Sequence, residues 1–414
     1  MRLSIHDAAL KSSLCALLLL FIAVDSFADN CDTTSTRITH MIGADLRPGY
    51  VFPTHEFFKG SNHSGQRINS TLSGHLKYGF RFSDNTYLGK EYPHAIQGIG
   101  IAYNTFFNSS ELGNPFNLYL FQTSRIASIT PNLSFDYEWN FGAAFGWKQY
   151  DEENNPFNLV VGSKINAYIN LQFLLNWQMT PSTYLRGGVG VSHYSNGNTS
   201  YPNSGVNTIG ASIGVAYLLG NNRENRFSNF PSRNHVLNSY ITYDLIVYGA
   251  TRKKGVFPED LSPMLVPGSF AIAGLNFNPL YHFSNYFRAG ISLDLQYDES
   301  ANIGKHIANT YTPSEPEELK FYRPPFREQF SAGLSLRGEI VMPIFSINLG
   351  IGKNFLCKGD DTNSFYQTFV LKTHITHNIF LHTGYQLYRF KEPNNLMMGL
   401  GYRFNSSYAA SDTR

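Results

Sequence analysis

The sequence has few charged residues and, beyond its N-terminus, no long apolar run. Asp, Glu, Lys and Arg make up 15% of the 414 residues, whereas a soluble domain typically contains about 25%. The formal net charge is only +2, so no strong field favours nucleic acid as a partner. After residue 28 no apolar segment approaches the roughly 20 residues of a membrane helix. These absences argue against an ordinary soluble surface and exclude helical membrane spans.

The N-terminus is typical of an export signal. Arg2 and Lys11 flank the start of the chain, an apolar run follows from Leu14 to Val24, and Ser26-Phe27-Ala28 has the small residues of a cleavage site. We therefore expect residues 1–28 to be a secretory signal peptide.

Cysteine is scarce in the mature chain, which keeps only Cys31 and Cys357. Two cysteines so far apart do not form a disulfide framework. No small-residue lipobox precedes Cys31, so a lipid anchor is not expected there. With β-strands alternating across a membrane, Cys31 falls on the periplasmic side and Cys357 in an outer loop, which excludes their pairing.

Aromatic residues are plentiful, at 15% of the chain, and apolar and polar residues alternate over long stretches. Leu133 to Lys148 and Lys164 to Met179 place aromatic and aliphatic side chains at odd positions and mostly polar or small ones at even positions. This period of two indicates strands, whereas a helix would scatter the same residues around its axis. Long apolar outward faces are typical of an outer-membrane β-barrel rather than a soluble sandwich.

The fold class that we predict is all-β, an antiparallel transmembrane β-barrel protein with about 16 strands in two sets of eight. Besides the two stretches above, candidate strands lie near 38–51, 68–82, 95–107, 116–128, 183–195, 207–219, 235–250, 268–282, 286–298, 328–340, 343–353, 365–376, 379–390 and 395–404. Short turns such as SDNT at 83 and TPST at 180 alternate with longer loops, which predicts periplasmic turns and external loops.

A polar connection at 220–234 divides the strands into an N-terminal half, residues 29–220, and a second half, residues 221–404. One large barrel, or an eight-stranded catalytic barrel followed by a second β unit, both fit this division. The last strand ends at Phe404, so residues 405–414 are expected to form a periplasmic tail.

One strand-turn-strand carries the candidate chemistry. His193 and Ser195 share parity with the outward apolar residues of their strand, and Asn207 shares parity with those of the next strand. A serine hydroxyl becomes nucleophilic when a base within hydrogen-bond reach takes its proton, so we predict Ser195 as nucleophile and His193 as base. Asn207 is predicted to hold the imidazole in the neutral tautomer, and Asn196, Gly197 and Asn203 to bind the oxyanion or orient the site.

This run resembles the lipid A 3-O-deacylase (acyloxyacyl hydrolase) family of outer-membrane barrels over about residues 30–220. The resemblance rests on His193-x-Ser195-Asn196 followed by Asn203, and it implies ester hydrolysis of lipid A with His193 as base and Ser195 as nucleophile. The best-known members of that family place a Glu fourteen residues after the His, where this chain has Asn207.

The same run also resembles outer-membrane phospholipase A, which has a His-x-Ser-Asn-Gly run with an Asn as third member at the spacing of Asn207. His193 to Gly197 fit that pattern. An Arg follows the run in that family, where this chain has Asn198.

The chain contains a second H-x-S-N run at His282 to Asn285, which serves as an internal comparison. Its His and Ser have inward parity, they lie at a predicted periplasmic turn, and Gln296 stands at the Asn207 spacing. We interpret this copy as an ordinary turn.

Two charged clusters have both functional and structural interpretations. Asp151, Glu152 and Glu153 in an outer loop are of a type that binds Ca²⁺, although solvated loop carboxylates are the favoured interpretation, so no cofactor is predicted beyond an open possibility of Ca²⁺. The triplet Arg252-Lys253-Lys254 would suit lipid A phosphates or a loop-stabilising role.

The leading functional hypothesis is an outer-membrane serine esterase of a Gram-negative bacterium that removes an acyl chain from lipid A. Outer-membrane phospholipase A and a non-enzymatic porin-like barrel are the alternatives. The expected partners are the membrane and the acyl chains of lipid A or phospholipid, with no nucleic acid, and a homodimer is left open.

Overall fold

The computed structural model describes residues 38–84, 86–219, 240–256, 264–308, 320–390 and 392–404. The expected signal peptide, Cys31, the connection at 220–234 and the tail at 405–414 lie outside the described residues. Within them the chain forms two closed, antiparallel, eight-stranded barrels. The all-β fold class with two sets of eight strands is confirmed, and the two sets close separately rather than as one large barrel.

The first barrel contains strands β1 to β8 in sequential order, and β8 pairs with β1 to close it. These strands are Ile38–Val51, Ser70–Phe82, Ile96–Thr105, Gly113–Thr130, Leu133–Trp147, Ile165–Gln178, Thr183–Ser195 and Val206–Leu219.

The second barrel contains β9, β12 to β18, and it closes where β18 pairs with β9. Its strands are Ile241–Arg252, Phe270–His282, Phe287–Asp298, Phe330–Val341, Phe345–Leu356, Phe365–His374, Ile379–Tyr388 and Glu392–Phe404.

The connections between barrel strands contain short helices and a hairpin, which the alternation pattern does not predict. A two-stranded hairpin joins β10 (Gly255–Val256) to β11 (Met264–Leu265). The helices are α1 (Glu56–Lys59), α2 (Tyr87–Glu91), α3 (Phe326–Gln329) and a 3₁₀ turn at Ile303–His306. No helix among the described residues is long and apolar enough to cross a membrane.

The connections differ in length between the two ends of each barrel. At one end of the first barrel lie the loops 52–69, 106–112, 148–164 and 196–205, whereas tight turns at 131–132 and 179–182 lie at the other. The expectation of a short turn at SDNT is wrong, because β3 starts only at Ile96 and the intervening segment contains α2. Thr86 caps that helix by accepting a hydrogen bond from the Gly89 N–H, which explains why a turn-like tetrapeptide begins a helix.

Alternation sends one set of side chains into each barrel and the other set outwards. On β6 the outward Leu171, Phe173, Leu175 and Trp177 are 41–51% exposed, whereas the inward Asn170 and Gln172 are both 3% exposed. The interior of an eight-stranded barrel is just wide enough for side chains to fill or for one small ligand. Three cavities lined by inward side chains of the barrels measure about 30, 10 and 60 Å³, which is room for at most a few water molecules each.

A network of buried charges fills the middle of the first barrel. Glu138 accepts from Lys77 at 2.9 Å, Arg186 at 2.9 Å and Arg47 at 3.1 Å. Asp45 pairs with Arg47 at 2.9 Å and with Lys77 at 2.5 Å. Buried ions are tolerated only when they are paired in this way, so the network fixes which strands face each other across the interior.

The second barrel has its own network around two carboxylates. Asp244 pairs with Lys372 at 2.8 Å and with Arg403 at 2.7 Å, and Glu339 pairs with Arg288 at 3.1 Å, with Arg403 at 3.2 Å and also with Lys372. In both barrels two acids meet three cations. Apart from an aspartate on the first strand of each barrel, Asp45 and Asp244, the residues come from different strands in the barrel order. The ion pairs of each network join residues of one barrel only.

Candidate active site at the end of β7 and β8

The three residues predicted to act together meet at the long-loop end of the first barrel. His193 and Asn207 are directly opposite each other in the β7–β8 ladder, and Ser195 follows two residues later on the same face of β7. Alternation puts them on the outer wall, because Val191 and Ile209 of that face are 47% and 44% exposed while the intervening Tyr194 is 5% exposed. The side chain orientation inferred from parity agrees with the structure.

Hydrogen bonds link these side chains in the order Asn207, His193, Ser195. His193 Nδ1 lies 2.7 Å from Asn207 Oδ1, and His193 Nε2 lies 2.9 Å from Ser195 Oγ. The amide oxygen can only accept, so Nδ1 carries the proton and Nε2 presents its lone pair to the serine hydroxyl. This is the tautomer that a general base needs.

The loop after β7 is held by a bond between two of the other predicted site residues. The backbone N–H of Asn196 donates to Asn203 Oδ1 at 2.9 Å, so this amide is engaged in the loop and Asn203 orients the turn. Gly197 has φ 63° and Asn198 has φ 62°, a left-handed conformation that Gly and Asn adopt most easily. A role of Asn196, Gly197 or Asn203 in oxyanion binding stays a prediction.

Gly205 is a further member of the site that the sequence pattern does not identify. Its φ is 72°, and a Cβ placed there would lie 2.9 Å from Tyr194 O, 3.3 Å from His193 Cε1 and 3.6 Å from Ser195 Cβ. The absence of a side chain at Gly205 thus allows the loop to return past the imidazole. The Asn203-Ser204-Gly205 triplet is a turn signal, but its closeness to His193 depends on the strand pairing.

The neighbouring β5–β6 loop supports this return. The Gly205 N–H donates to Val160 O at 3.0 Å. The fully buried Asn158 anchors the β5–β6 loop just before Val160. Its amide NH₂ donates to Glu111 O at 2.8 Å and to Lys148 O at 2.9 Å, while its side chain oxygen accepts from the Val161 N–H at 3.1 Å. A chain of bonds therefore runs from Asn158 to the edge of the site.

The H-x-S-N run in the second barrel has a different geometry. His282 is 4% exposed, its Nε2 lies 3.1 Å from Thr242 Oγ1, and its ring stacks on Tyr240 at 4.0 Å. Ser284 lies in the turn, where its Oγ accepts from the Tyr286 N–H at 3.2 Å. This His faces the interior and is bonded to Thr242, so the interpretation as a turn agrees with the structure.

The acidic outer loop is organised by its own hydrogen bonds. Asp151 Oδ1 accepts from the backbone N–H of Asn154 at 2.8 Å and from its side chain amide at 2.9 Å. These bonds, the backbone one first, lower the pKa of the exposed Asp151. Within the described ranges no group of three or more His, Cys, Asp or Glu is placed to hold a metal ion, and binding of Ca²⁺ at Glu152 or Glu153 stays untested.

The basic triplet is engaged within the second barrel and its loops. Arg252 pairs with Asp298 at 2.5 Å, Lys254 pairs with Asp361 at 2.7 Å, and Lys253 donates to Gly268 O at 2.6 Å. These contacts fit the loop-stabilising interpretation.

Comparison with known proteins gives two family matches. The model described as "Lipid A 3-O-deacylase (PagL)" matches residues 123–216, and the model described as "Acyloxyacyl hydrolase, C-terminal domain" matches residues 241–406. Together they span more than half of the 414 residues. The first match contains His193, Ser195 and Asn207, and the second contains the eight strands of the second barrel.

Similar solved structures are outer-surface and transport proteins of low identity. Neisserial surface protein A is 11% identical, with 43% of this chain and 96% of that chain covered and a TM-score of 0.29. The siderophore receptor PirA from Pseudomonas aeruginosa is 9% identical, with 90% of this chain and 81% of that chain covered and a TM-score of 0.25. No curated protein matches the chain. The barrel topology described above does not depend on these similarities.

Proposed function

This chain belongs to the lipid A 3-O-deacylase family of acyloxyacyl hydrolases, and on that basis we propose that Ser195 cleaves an ester-linked acyl chain from lipid A at the outer wall of the first barrel. The protein is an ester hydrolase. The family and the closed barrels indicate an outer-membrane protein of a Gram-negative bacterium, so lipid A and the membrane are its partners.

The observation that carries the proposal is the continuous chain of hydrogen bonds from Asn207 through His193 to Ser195. As Ser195 Oγ attacks the ester carbonyl carbon, its proton moves to His193 Nε2. The imidazolium then protonates the departing alkoxide of the sugar, and an acyl group stays on Ser195. Water, deprotonated by the same imidazole, attacks this acyl-enzyme and releases the fatty acid.

Asn207 suits a catalytic site that borders acyl chains. A carboxylate in its place would stabilise the imidazolium more strongly, but it would also put an anion next to hydrocarbon, where unpaired charge is costly. The neutral amide fixes the tautomer through its oxygen without adding charge. Its cost is weaker stabilisation of the imidazolium during the proton transfer.

The proposed location is the outer leaflet. Long loops of outer-membrane barrels face outwards and short turns face the periplasm, and the site lies where β7 meets the long loop 196–205. The penalty for a cationic Arg or Lys on the lipid face is about 2–4 kcal/mol at the midplane and about 0–1 kcal/mol near the interface. The end of the strand is therefore a depth at which His193 can carry a transient charge.

Phospholipase A activity is a second candidate because Asn207 occupies the third position and bonds to His193 at 2.7 Å. The family matches favour lipid A. The porin-like alternative is opposed by membership of a hydrolase family and by the filled barrel interiors.

Purified protein given lipid A or phospholipid vesicles would separate the two esterase hypotheses. We expect fatty acid release from lipid A that Ser195→Ala abolishes and that persists with a chelator. Faster release from phospholipid than from lipid A, dependent on Ca²⁺, would establish the phospholipase instead. The matched control is Ser284→Ala, which removes the serine of the other H-x-S-N run and should leave the rate unchanged.

A further inference from the structure

The outward positions of the barrel strands are almost free of charge. Strand residues alternate between the inside and the outside of a barrel, and the charged strand residues described above face inwards. Among the described side chains of the sixteen barrel strands, Lys353 of β15 is the one Lys, Arg, Asp or Glu at an outward position. A single cation on a lipid-facing wall needs an explanation.

Apolar side chains surround Lys353. Its ladder partners are Leu334 on β14 and Phe365 on β16, which are 54% and 56% exposed. Its Nζ lies 5.5 Å from the centre of the Phe365 ring, and Phe355 follows on the same face of β15, 64% exposed. Among the described residues, Lys353 forms no salt bridge, and no carboxylate in that part of the chain pairs with it.

The depth of Lys353 suits contact with a lipid headgroup. It precedes the end of β15 at Leu356 by three residues, about 10 Å along the strand at roughly 3.3 Å per residue. A lysine side chain can extend its ammonium towards the interface while its methylenes stay among apolar neighbours. The exposed Lys358 is the second residue of the adjoining loop, which starts at Cys357, so a second cation lies at headgroup level.

The neighbouring acid is already engaged. Glu328 Oε2 lies 2.8 Å from His306 Nε2, and its pKa is lowered by that hydrogen bond and by the charges of His306, Lys358 and Arg327. Lys358 and Arg327 each lie near Glu328. The two acids of the loop after β15, Asp360 and Asp361, pair with Lys305 at 2.6 Å and with Lys254 at 2.7 Å.

We propose that Lys353, Lys358, Phe355 and Phe365 form a binding surface for a phosphorylated lipid, with the ammonium groups on the phosphate and the rings against an acyl chain. The occupant is lipid A, a phosphorylated glycolipid, because the proposed function places the long-loop end in the leaflet that contains it. The second barrel thus binds the lipid class that the first barrel cleaves, at a surface that has no part in the chemistry.

Binding of fluorescently labelled lipid A to the detergent-solubilised protein, followed by anisotropy, tests the proposal. All variants carry Ser195→Ala, so no hydrolysis intervenes. We expect Lys353→Gln to weaken binding about tenfold, about 1.4 kcal/mol, and Lys353→Arg to retain it. Lys305→Gln is the matched control, since it removes the same charge from the same barrel at an exposed lysine paired with Asp360 at 2.6 Å, and it should bind as tightly as the parent.

Further ligands identify the chemistry that is bound. Dephosphorylated lipid A should bind the parent and Lys353→Gln equally weakly, and inorganic phosphate should not displace lipid A. Equal affinity of Lys353→Gln and the parent for lipid A would overturn the proposal, as would displacement by inorganic phosphate or equally tight binding of phosphatidylglycerol. Fatty acid release is measured separately with Lys353→Gln in a protein that keeps Ser195. A loss of lipid binding and a loss of hydrolysis can then be distinguished.

Discussion

Asn207 is the residue that most distinguishes this site, because it gives the imidazole an acceptor without a charge. Its Oδ1 lies 2.7 Å from His193 Nδ1, which holds the proton on the nitrogen that faces away from Ser195. His193 is the donor in this hydrogen bond because the amide oxygen can only accept. The contribution of Asn207 to turnover can therefore be tested separately from that of Ser195.

Substitution of Asn207 should affect turnover rather than substrate binding. We expect Asn207→Ala to lower kcat for lipid A by about 100-fold, the lower end of what general base catalysis contributes, with KM little changed. Asn207→Glu should retain part of the turnover because a carboxylate also accepts the Nδ1 proton. Steady-state kinetics on both variants decide; full activity of Asn207→Ala would remove Asn207 from the mechanism.

Gly205 offers a second test at the level of one residue. Gly205→Ala adds a Cβ 2.9 Å from Tyr194 O and 3.3 Å from His193 Cε1 at a left-handed position, so the loop must shift next to the imidazole. We expect a fall in kcat of about tenfold and a loss of stability of about 1–2 kcal/mol. Gly65→Ala is the control. Gly65 is likewise in the left-handed region, with φ 65°, but a Cβ there has no neighbour within 4 Å, so this variant should lose stability without losing kcat.

At the level of elements, the strands were largely predictable and their decorations were not. Period-two alternation placed β7 at 183–195 and β5 at 133–148, and the structure has Thr183–Ser195 and Leu133–Trp147. Strand bounds follow from alternation because lipid outside and side chains inside impose opposite polarity on neighbouring residues. The helix α2 and the β10–β11 hairpin lie in segments without that constraint.

The site shows the same division between local and long-range information. Parity alone placed His193, Ser195 and Asn207 on one face, since it depends only on distance along each strand. The roles of Asn158 and Val160 depend on how the β5–β6 loop folds against the loop 196–205, and no spacing in the sequence encodes that contact. The buried ion networks were missed for a similar reason, because Glu138 meets Lys77 and Arg186 only after the barrel closes.

The β5–β6 loop should therefore influence catalysis from a distance. We expect Asn158→Ala to lower kcat several-fold, because it releases the bonds that position Val160 and, through it, Gly205. Asn154→Ala lies in the same loop but bonds only to Asp151 among the described contacts, and it should behave as wild type. Equal kinetics of the two variants would show that the loop does not position the site.

For the whole molecule, two separately closed barrels imply two separate stabilities. Glu138→Gln leaves Lys77, Arg47 and Arg186 with less compensating charge, and breaking a buried ion pair typically costs about 3–5 kcal/mol. Glu339→Gln does the same to the second barrel. Urea unfolding, followed by a fluorescent probe in each barrel, should show two transitions, and we expect each variant to lower the midpoint of a different one. If both variants lower the midpoint of one shared transition, the barrels unfold as one unit.

The presence of a second barrel in a hydrolase also needs a whole-molecule explanation. The His of its H-x-S-N run is turned inwards at the short-turn end, and among the described strand residues its outward wall carries one cation, Lys353. A division of labour, with chemistry on the first barrel and lipid binding on the second, accounts for both observations and rests on the lipid-binding experiment described above.

The central claim is that Ser195 deacylates lipid A, and mass spectrometry of lipid A from cells tests it most directly. Cells expressing the wild-type chain should yield lipid A that lacks one ester-linked acyl chain relative to control cells, and Ser284→Ala should yield the same product. Ser195→Ala, expressed and folded to the same level, should leave lipid A fully acylated. Identical lipid A spectra from wild-type and Ser195→Ala cells would contradict the account.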